Sequence, residues 1–164
     1  MTGLAQQGRR EISALFVYIR EMKSVSKSIE DTQKFAKELL GRISPKDEAS
    51  VIALNGDLGS GKTTLTQEIG RLLGINEHIQ SPTFVIEKIY ELKDQIFTHL
   101  IHIDAYRLKN EEELLSLGWE KIVKDNRNLI VVEWAERVKN ILPKSAIHIV
   151  LTHQDENVRH LEIL

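Results

Sequence analysis

Val51-Ile52-Ala53-Leu54-Asn55-Gly56-Asp57-Leu58-Gly59-Ser60-Gly61-Lys62-Thr63-Thr64 is the stretch on which the fold turns. Val51 to Leu54 read as a buried strand running straight into a segment that fits G-x-x-x-x-G-K-[ST] from Gly56 to Thr63. Beyond it Leu65, Ile69, Leu72 and Leu73 share one helical face, and Gly74 suits the position just past a helix end. The unit is strand, loop, helix. Small residues let successive backbone N–H groups curl around phosphate oxygens at a helix N-terminus, where the helix dipole also favours anions. Gly56, Gly59 and Gly61 supply that freedom, with Asp57 and Ser60 between them in the loop. Lys62 would reach the β and γ phosphates, the Thr63 hydroxyl would ligate magnesium, and Thr64 could reach the α phosphate. The bland alternative is a flexible glycine turn with an exposed lysine; the strand before and helix after argue against it.

Upstream, Ser28-Ile29-Glu30-Asp31 looks like an N-cap with an acidic first turn. Phe35, Ala36, Leu39 and Leu40 continue it as one apolar helical face that ends at Gly41, and a loop follows around Pro45. Downstream, Thr83 to Leu92 and Phe97 to Ile103 are β-rich segments separated by Lys93-Asp94-Gln95, a hairpin or two adjacent strands. Glu111 to Leu117 reads as a short acidic helix closed by Gly118. Leu129 to Val132 is a continuously apolar strand, as expected in a sheet covered on both faces, and Ala146 to Leu151 and Val158 to Leu164 read as final strands. This order predicts an α/β, P-loop NTPase-like three-layer fold, with a central mixed and mostly parallel sheet flanked by helices. One P-loop domain is expected over residues 28–164, with residues 1–27 as an N-terminal extension.

A P-loop needs acidic groups near its magnesium, drawn from the ends of neighbouring strands. Glu133 follows four apolar residues and could bind magnesium directly or hold an activating water. Asp104 ends the Leu100 to Ile103 segment on the same strand face as His102. Each could instead be a strand-end carboxylate making a surface contact. Ser81-Pro82-Thr83 sits where switch loops lie, so its hydroxyls could sense the γ phosphate or position water, although the tripeptide alone is an ordinary strand-entry turn. Trp134 could stack on an adenine ring or belong to the core. His99 and His102 read as strand residues rather than a metal pair. No N-K-x-D occurs, which favours adenine over guanine.

The 164 residues suit a single domain with a real core. With 22 Lys plus Arg against 24 Asp plus Glu, the formal charge of −2 carries no bulk footprint for autonomous nucleic-acid binding. Zero cysteines exclude disulfides, thiol catalysis and cysteine-ligated metal. Ile12 to Ile19 is far shorter than the roughly 20 residues of a membrane span, and no small-residue cleavage site follows it. A cytoplasmic location is expected. Ile12, Leu15, Phe16 and Ile19 fall at helical spacing, while either Met1 or Met22 could be the start.

Taken in order, these residues resemble the TsaE family, formerly called the YjeE ATPases, over roughly residues 28–164. The resemblance is carried by Gly56 to Thr64, then Ser81-Pro82-Thr83-Phe84, then His102-Ile103-Asp104-Ala105-Tyr106-Arg107-Leu108, then Glu112-Glu113-Leu114 with Gly118, then Val132-Glu133-Trp134. It implies ATP binding and slow hydrolysis to ADP, dependent on Mg2+, by a protein that works with TsaB and TsaD in tRNA threonylcarbamoyladenosine (t6A) synthesis and meets tRNA through that complex. By the family pattern Lys62 serves the phosphates, Thr63 and Glu133 hold magnesium, Asp104 supports the metal or hydrolytic water, and Thr83 lies in a switch-like loop. Trp134 and Glu136 would border the base, and the acidic cap at Glu30 with the segment around Val158 and Arg159 would close the pocket. Ser60 replaces a common alanine, and residues 1–21 exceed the usual start.

Two other classes compete with a weak ATPase. A small-molecule P-loop kinase would need an acceptor pocket and an arginine-bearing lid, and no lid-like insertion is visible. A nucleotide-dependent binding module would bind without turnover. Direct RNA binding has the least support, given the balanced charge and an aromatic content of 5%.

Overall fold

The computed structural model describes residues 22–155 and 157–164. The helical spacing noted between Ile12 and Ile19 lies outside the described residues, as does the choice between Met1 and Met22 as the start.

Seven strands form one sheet: β1 (Lys23–Ser26), β2 (Ser50–Asn55), β3 (Glu87–Glu91), β4 (His99–Asp104), β5 (Asn128–Glu133), β6 (Ile147–His153) and β7 (Arg159–Ile163). Their spatial order is β1-β7-β6-β2-β5-β4-β3. The four central strands, β6, β2, β5 and β4, run parallel. Antiparallel partners finish both edges: β3 on β4, and β7 then β1 beyond β6. The expected mixed sheet with an antiparallel late edge is therefore present.

The uninterrupted apolar runs of β2 and β5 are explained by two cores, one on each face. Ile52, Leu54, Leu129 and Val131 point into the first, where they meet Phe35, Ala36 and Leu39 of α1 (Ile29–Arg42) and Leu65 and Ile69 of α2 (Lys62–Leu72). Val51, Ala53, Ile130 and Val132 point into the second. There they pack on Leu114 of α3 (Glu111–Ser116), Trp119 of α4 (Trp119–Lys124), and Ala135 and Val138 of a 3-10 turn over Ala135–Val138. Three layers result, and the period-2 alternation of the strands alone divides the residues between the two cores. Among the described residues no helix is long and apolar enough to cross a membrane.

Several boundaries differ from the sequence expectation. The sheet begins before residue 28, because Lys23–Ser26 pairs with β7 and Met22 is buried. Helix α1 runs through Gly41 to Arg42 and is closed by the Ile43 N–H on the Leu40 carbonyl; Gly41 stays helical, so it is no stop. Thr83–Ile86 is a turn rather than the first half of a strand: Val85 and Ile86 N–H both bond the Pro82 carbonyl, and Ile86 sits at φ 69°. The hairpin itself is present, with β3 registered on β4 from Glu87↔Ile103 to Glu91↔His99.

Candidate functional site

The P-loop joins the end of β2 to the start of α2, in the middle of the sheet and between both cores. Gly61 takes the N-cap position at φ 98°, and a Cβ there would press on the Arg159 side chain at 3.1 Å. Gly56, at φ 144°, has no room for a Cβ against the Leu151 carbonyl, so β6 lies directly on the loop. Both conditions require glycine, for backbone angle and for space.

Lys62 is buried to 5% exposure and folds back over the loop, donating to the carbonyls of Gly56 (2.5 Å) and Asp57 (2.9 Å). Its ammonium stands 3.9 Å from the centre of the Trp134 ring, and the Tyr106 ring meets that indole at a tilt of 47° with ring centres 5.0 Å apart. Burial pushes the lysine pKa down, while Glu133, Glu136, Asp104 and Asp57 oppose the shift. One buried cation is thus surrounded by several acidic groups.

Two carboxylates face the loop because β4 and β5 are parallel neighbours in register, Asp104 opposite Glu133 at their C-terminal ends. Both are 2% exposed. Glu133 Oε2 accepts from the Thr63 hydroxyl at 2.9 Å, and its Oε1 contacts His102 Nε2 at 2.8 Å with the Thr66 hydroxyl at the limit of bonding, 3.5 Å. Asp104 Oδ2 lies 2.5 Å from the Ser81 hydroxyl and 2.6 Å from that of Thr83, which are 2.7 Å from each other, so two hydroxyl protons serve three contacts; its Oδ1 takes the Tyr106 N–H at 2.9 Å. The segment carrying Ser81 and Thr83 is thereby tied to the sheet by one carboxylate.

These groups wall a cleft of about 460 Å³ that includes Lys62, Thr63, Thr83, Asp104, Glu133 and Trp134. A second cleft of about 310 Å³ opens on the other side of Gly61 and Thr64, lined by Ser26, Ile29, Thr32, Ser60, Asn157 and other residues of β1, α1 and β7. Gly61, Thr64 and Arg159 border both, so the two form one continuous groove over the P-loop. Of the residues singled out in the sequence, Glu30, Gly56, Asp57, Glu136 and Val158 line neither cleft; Glu30 is exposed on the first turn of α1, and its neighbour Ile29 faces the groove. Glu136 is exposed on the 3-10 turn and acts on Lys62 through its charge. Trp134, at φ 57°, covers Lys62 in the larger cleft.

Sequence reasoning gave His102 no task at this site, and placed Arg159 in a segment closing the pocket, where it borders both clefts. His102 has an audible signal in retrospect: a polar residue two positions before Asp104 in a buried strand must share its face.

The donors available for a cation are oxygens, from Thr63, Glu133 and Asp104. Among the described residues no group of three or more His, Cys, Asp and Glu forms a cage. Hard oxygen donors that leave most of the coordination to water and phosphate fit magnesium rather than zinc or calcium.

The family model described as "Threonylcarbamoyl adenosine biosynthesis protein TsaE" matches residues 26–161. Proteins named "tRNA threonylcarbamoyladenosine biosynthesis protein TsaE" are similar throughout this region. One from Rickettsia felis is 41% identical, covering 82% of this chain and 75% of its own length, and one from Nostoc sp. is 43% identical, covering 70% and 69%. The crystal structure of Bacillus subtilis YdiB superposes with a TM-score of 0.64 at 28% identity, over 87% of this chain and 84% of that one. The fold is P-loop NTPase-like, and by sequence the chain belongs to the TsaE family.

Proposed function

We propose that this chain is the ATP-binding and ATP-hydrolysing subunit of tRNA threonylcarbamoyladenosine synthesis, acting in the cytoplasm with proteins of the TsaB and TsaD kind. The observation that carries the reading is the bond between the Thr63 hydroxyl and Glu133 Oε2, 2.9 Å across the mouth of the P-loop. It joins the loop threonine to a strand-end carboxylate, the pair of oxygen ligands that a nucleotide-bound magnesium requires. The relatives' names supply the pathway.

In this reading the loop amides and Lys62 grip the β and γ phosphates, once the ammonium has left the Gly56 and Asp57 carbonyls. Thr63 and Glu133 would hold Mg2+, with Asp104 beside them, and the metal would supply charge neutralisation at the terminal phosphates. Asp104 holds Ser81 and Thr83 at the γ-phosphate side, where their hydroxyls orient the attacking water. Gly61, Thr64 and the β1–α1–β7 cleft take the rest of the nucleotide, with Ser60 behind them. Among the described residues Arg159 borders the larger cleft beside Gly61, whereas Arg107 stacks on Phe84, Arg137 bonds the Leu108 carbonyl, and neither of these two lines it. Turnover by the chain alone is therefore slow, and partners raise it.

Calorimetry of the purified protein with ADP and ATP, in magnesium and in EDTA, tests the binding half. Steady-state hydrolysis with and without TsaB and TsaD tests the rest. Magnesium-dependent heat and a partner-stimulated rate are expected; no heat in either condition, or equal turnover with and without partners, refutes the proposal. Restoration of t6A in a TsaE-depleted bacterium by the wild-type chain but not by Lys62→Ala would place the activity in the pathway.

A further inference from the structure

His102 is 0% exposed, in the interior of β4, and its ring is committed at one end only. Nε2 lies 2.8 Å from Glu133 Oε1, whereas Nδ1 is buried and meets no hydrogen-bond partner among the described residues. A carboxylate only accepts, and Glu133 Oε2 already accepts from Thr63, so the imidazole is the donor in its contact with Oε1. A proton on Nδ1 would be a buried N–H with no acceptor, desolvated and uncompensated. Nε2 therefore carries the proton shared with Glu133, and Nδ1 is left without a partner among the described residues.

This fixes how Glu133 is presented. Its side chain has rotatable bonds that could turn either oxygen toward the loop, and Thr63 and Thr66 both stand on α2, one turn apart. His102 comes from the neighbouring strand and holds Oε1 from the opposite side. With Oε1 held by the imidazole, and the Thr66 hydroxyl bonded back to the Lys62 carbonyl, Oε2 is the oxygen beside the Thr63 hydroxyl.

We infer that His102 is a positioning residue: its Nε2–H clamps Oε1 of Glu133 so that Oε2, beside the Thr63 hydroxyl, is the oxygen offered to a divalent cation. The inference rests on the proposed function, in which Glu133 and Thr63 share magnesium. His102 touches neither metal nor nucleotide; it acts through Glu133. Hydrogen-bonded partners of metal-ligating carboxylates typically change metal affinity or activity by about 10–100-fold.

The test compares three substitutions in the full chain. His102→Phe keeps the ring volume and removes the donor. His102→Asn keeps polarity but places its amide near the former Nδ1, out of reach of Glu133. His102→Gln carries an amide N–H to about the former Nε2 position. The readout is the ratio of ADP affinity in magnesium to that in EDTA, by calorimetry, with thermal midpoints measured alongside. The magnesium gain is expected to fall about 10-fold or more in the Phe and Asn variants and to stay within about threefold of wild type in the Gln variant. ADP affinity in EDTA should remain within about twofold throughout.

A wild-type-sized magnesium gain in the Phe and Asn variants overturns the inference. So does a metal-free affinity that drops in step with the metal-dependent one, because that is the signature of a distorted loop. If the Phe variant does not fold, the Asn and Gln pair carries the comparison. A wild-type chain that gains nothing from magnesium defeats the proposed function itself, before any variant is compared.

Discussion

On one side of Gly61 the groove is walled by the C-terminal ends of β4 and β5, two fully paired central strands; on the other it is walled by β1, the start of α1 and β7, which form an edge. The central side is pre-wired. Thr63, His102 and Thr66 converge on Glu133, and Ser81, Thr83 and Tyr106 converge on Asp104. The edge side carries links that stay within one stretch of chain: Ser26 to the Thr32 hydroxyl and the Ser28 carbonyl, the Asp31 N–H to Ser28, and the Asn157 and Val158 N–H groups to Asp155. Rigidity is concentrated where charge must be placed for chemistry, and the side that would take the remainder of the nucleotide is held by packing and an edge ladder. Substitutions at the centre should therefore cost turnover, and those at the edge should cost affinity.

The sharpest way to break this contrast is Glu133→Gln, which weakens the cation ligand and keeps the shape. Hydrolysis should drop at least about 100-fold, since metal stabilisation of phosphoryl charge is worth several kcal/mol and each 1.36 kcal/mol is tenfold. Assay by phosphate release at saturating ATP decides it; an unchanged rate would remove the central side from the chemistry. Asp104→Asn comes next. Its effect runs through the loop hydroxyls, so turnover should fall about 10–100-fold, with ADP affinity within about twofold. A larger loss of affinity than of turnover would invert the assignment.

At the edge, Arg159→Ala removes a cation that borders both clefts and packs on Gly61. Nucleotide affinity should weaken about 3–10-fold, from roughly one charge-assisted contact, with turnover at saturating ATP within about twofold. The smallest effect belongs to the other end of β5. There the Arg127 side chain and backbone N–H hold the Asp125 carboxyl down at about 2, from an ordinary 3.8. A carboxylate whose folded pKa is depressed stabilises the fold above its unfolded value, and that stabilisation drains away as pH falls from 3.8 toward about 2. Arg127→Ala should flatten this acid limb in thermal unfolding followed from pH 7 to pH 2, with nucleotide binding at neutral pH unchanged. The pair is exposed, so the change is small.

The same contrast explains what was legible beforehand. Leu129 to Val132 is an apolar run and Leu100 to Ile103 one broken by His102 alone, each followed by a carboxylate, so a central strand and its acidic terminus could be read together. Lys23–Ser26 has one buried position among four and owes its strand state to hydrogen bonding with β7, a partner more than a hundred residues away. Local pattern carries little trace of that. Trp119–Lys124 escaped notice for another reason: it is short, and its N-cap is Gly118, which offers no side chain to announce a start. Thr83–Ile86 has β-forming residues, but Pro82 supplies the carbonyl that closes them into a turn. His102 was read as a plain strand residue because the partner that gives it a task, Glu133, lies on another strand.

Trp134 lies beneath the Lys62 ammonium, and this has an optical consequence. The chain has two tryptophans. Trp119 is sealed in the second core, its indole N–H on the Ile141 carbonyl at 3.0 Å, and lines neither cleft. Drawing the ammonium away from the other indole alters the field across that ring, so one fluorophore reports occupancy while its companion stays silent as an internal standard.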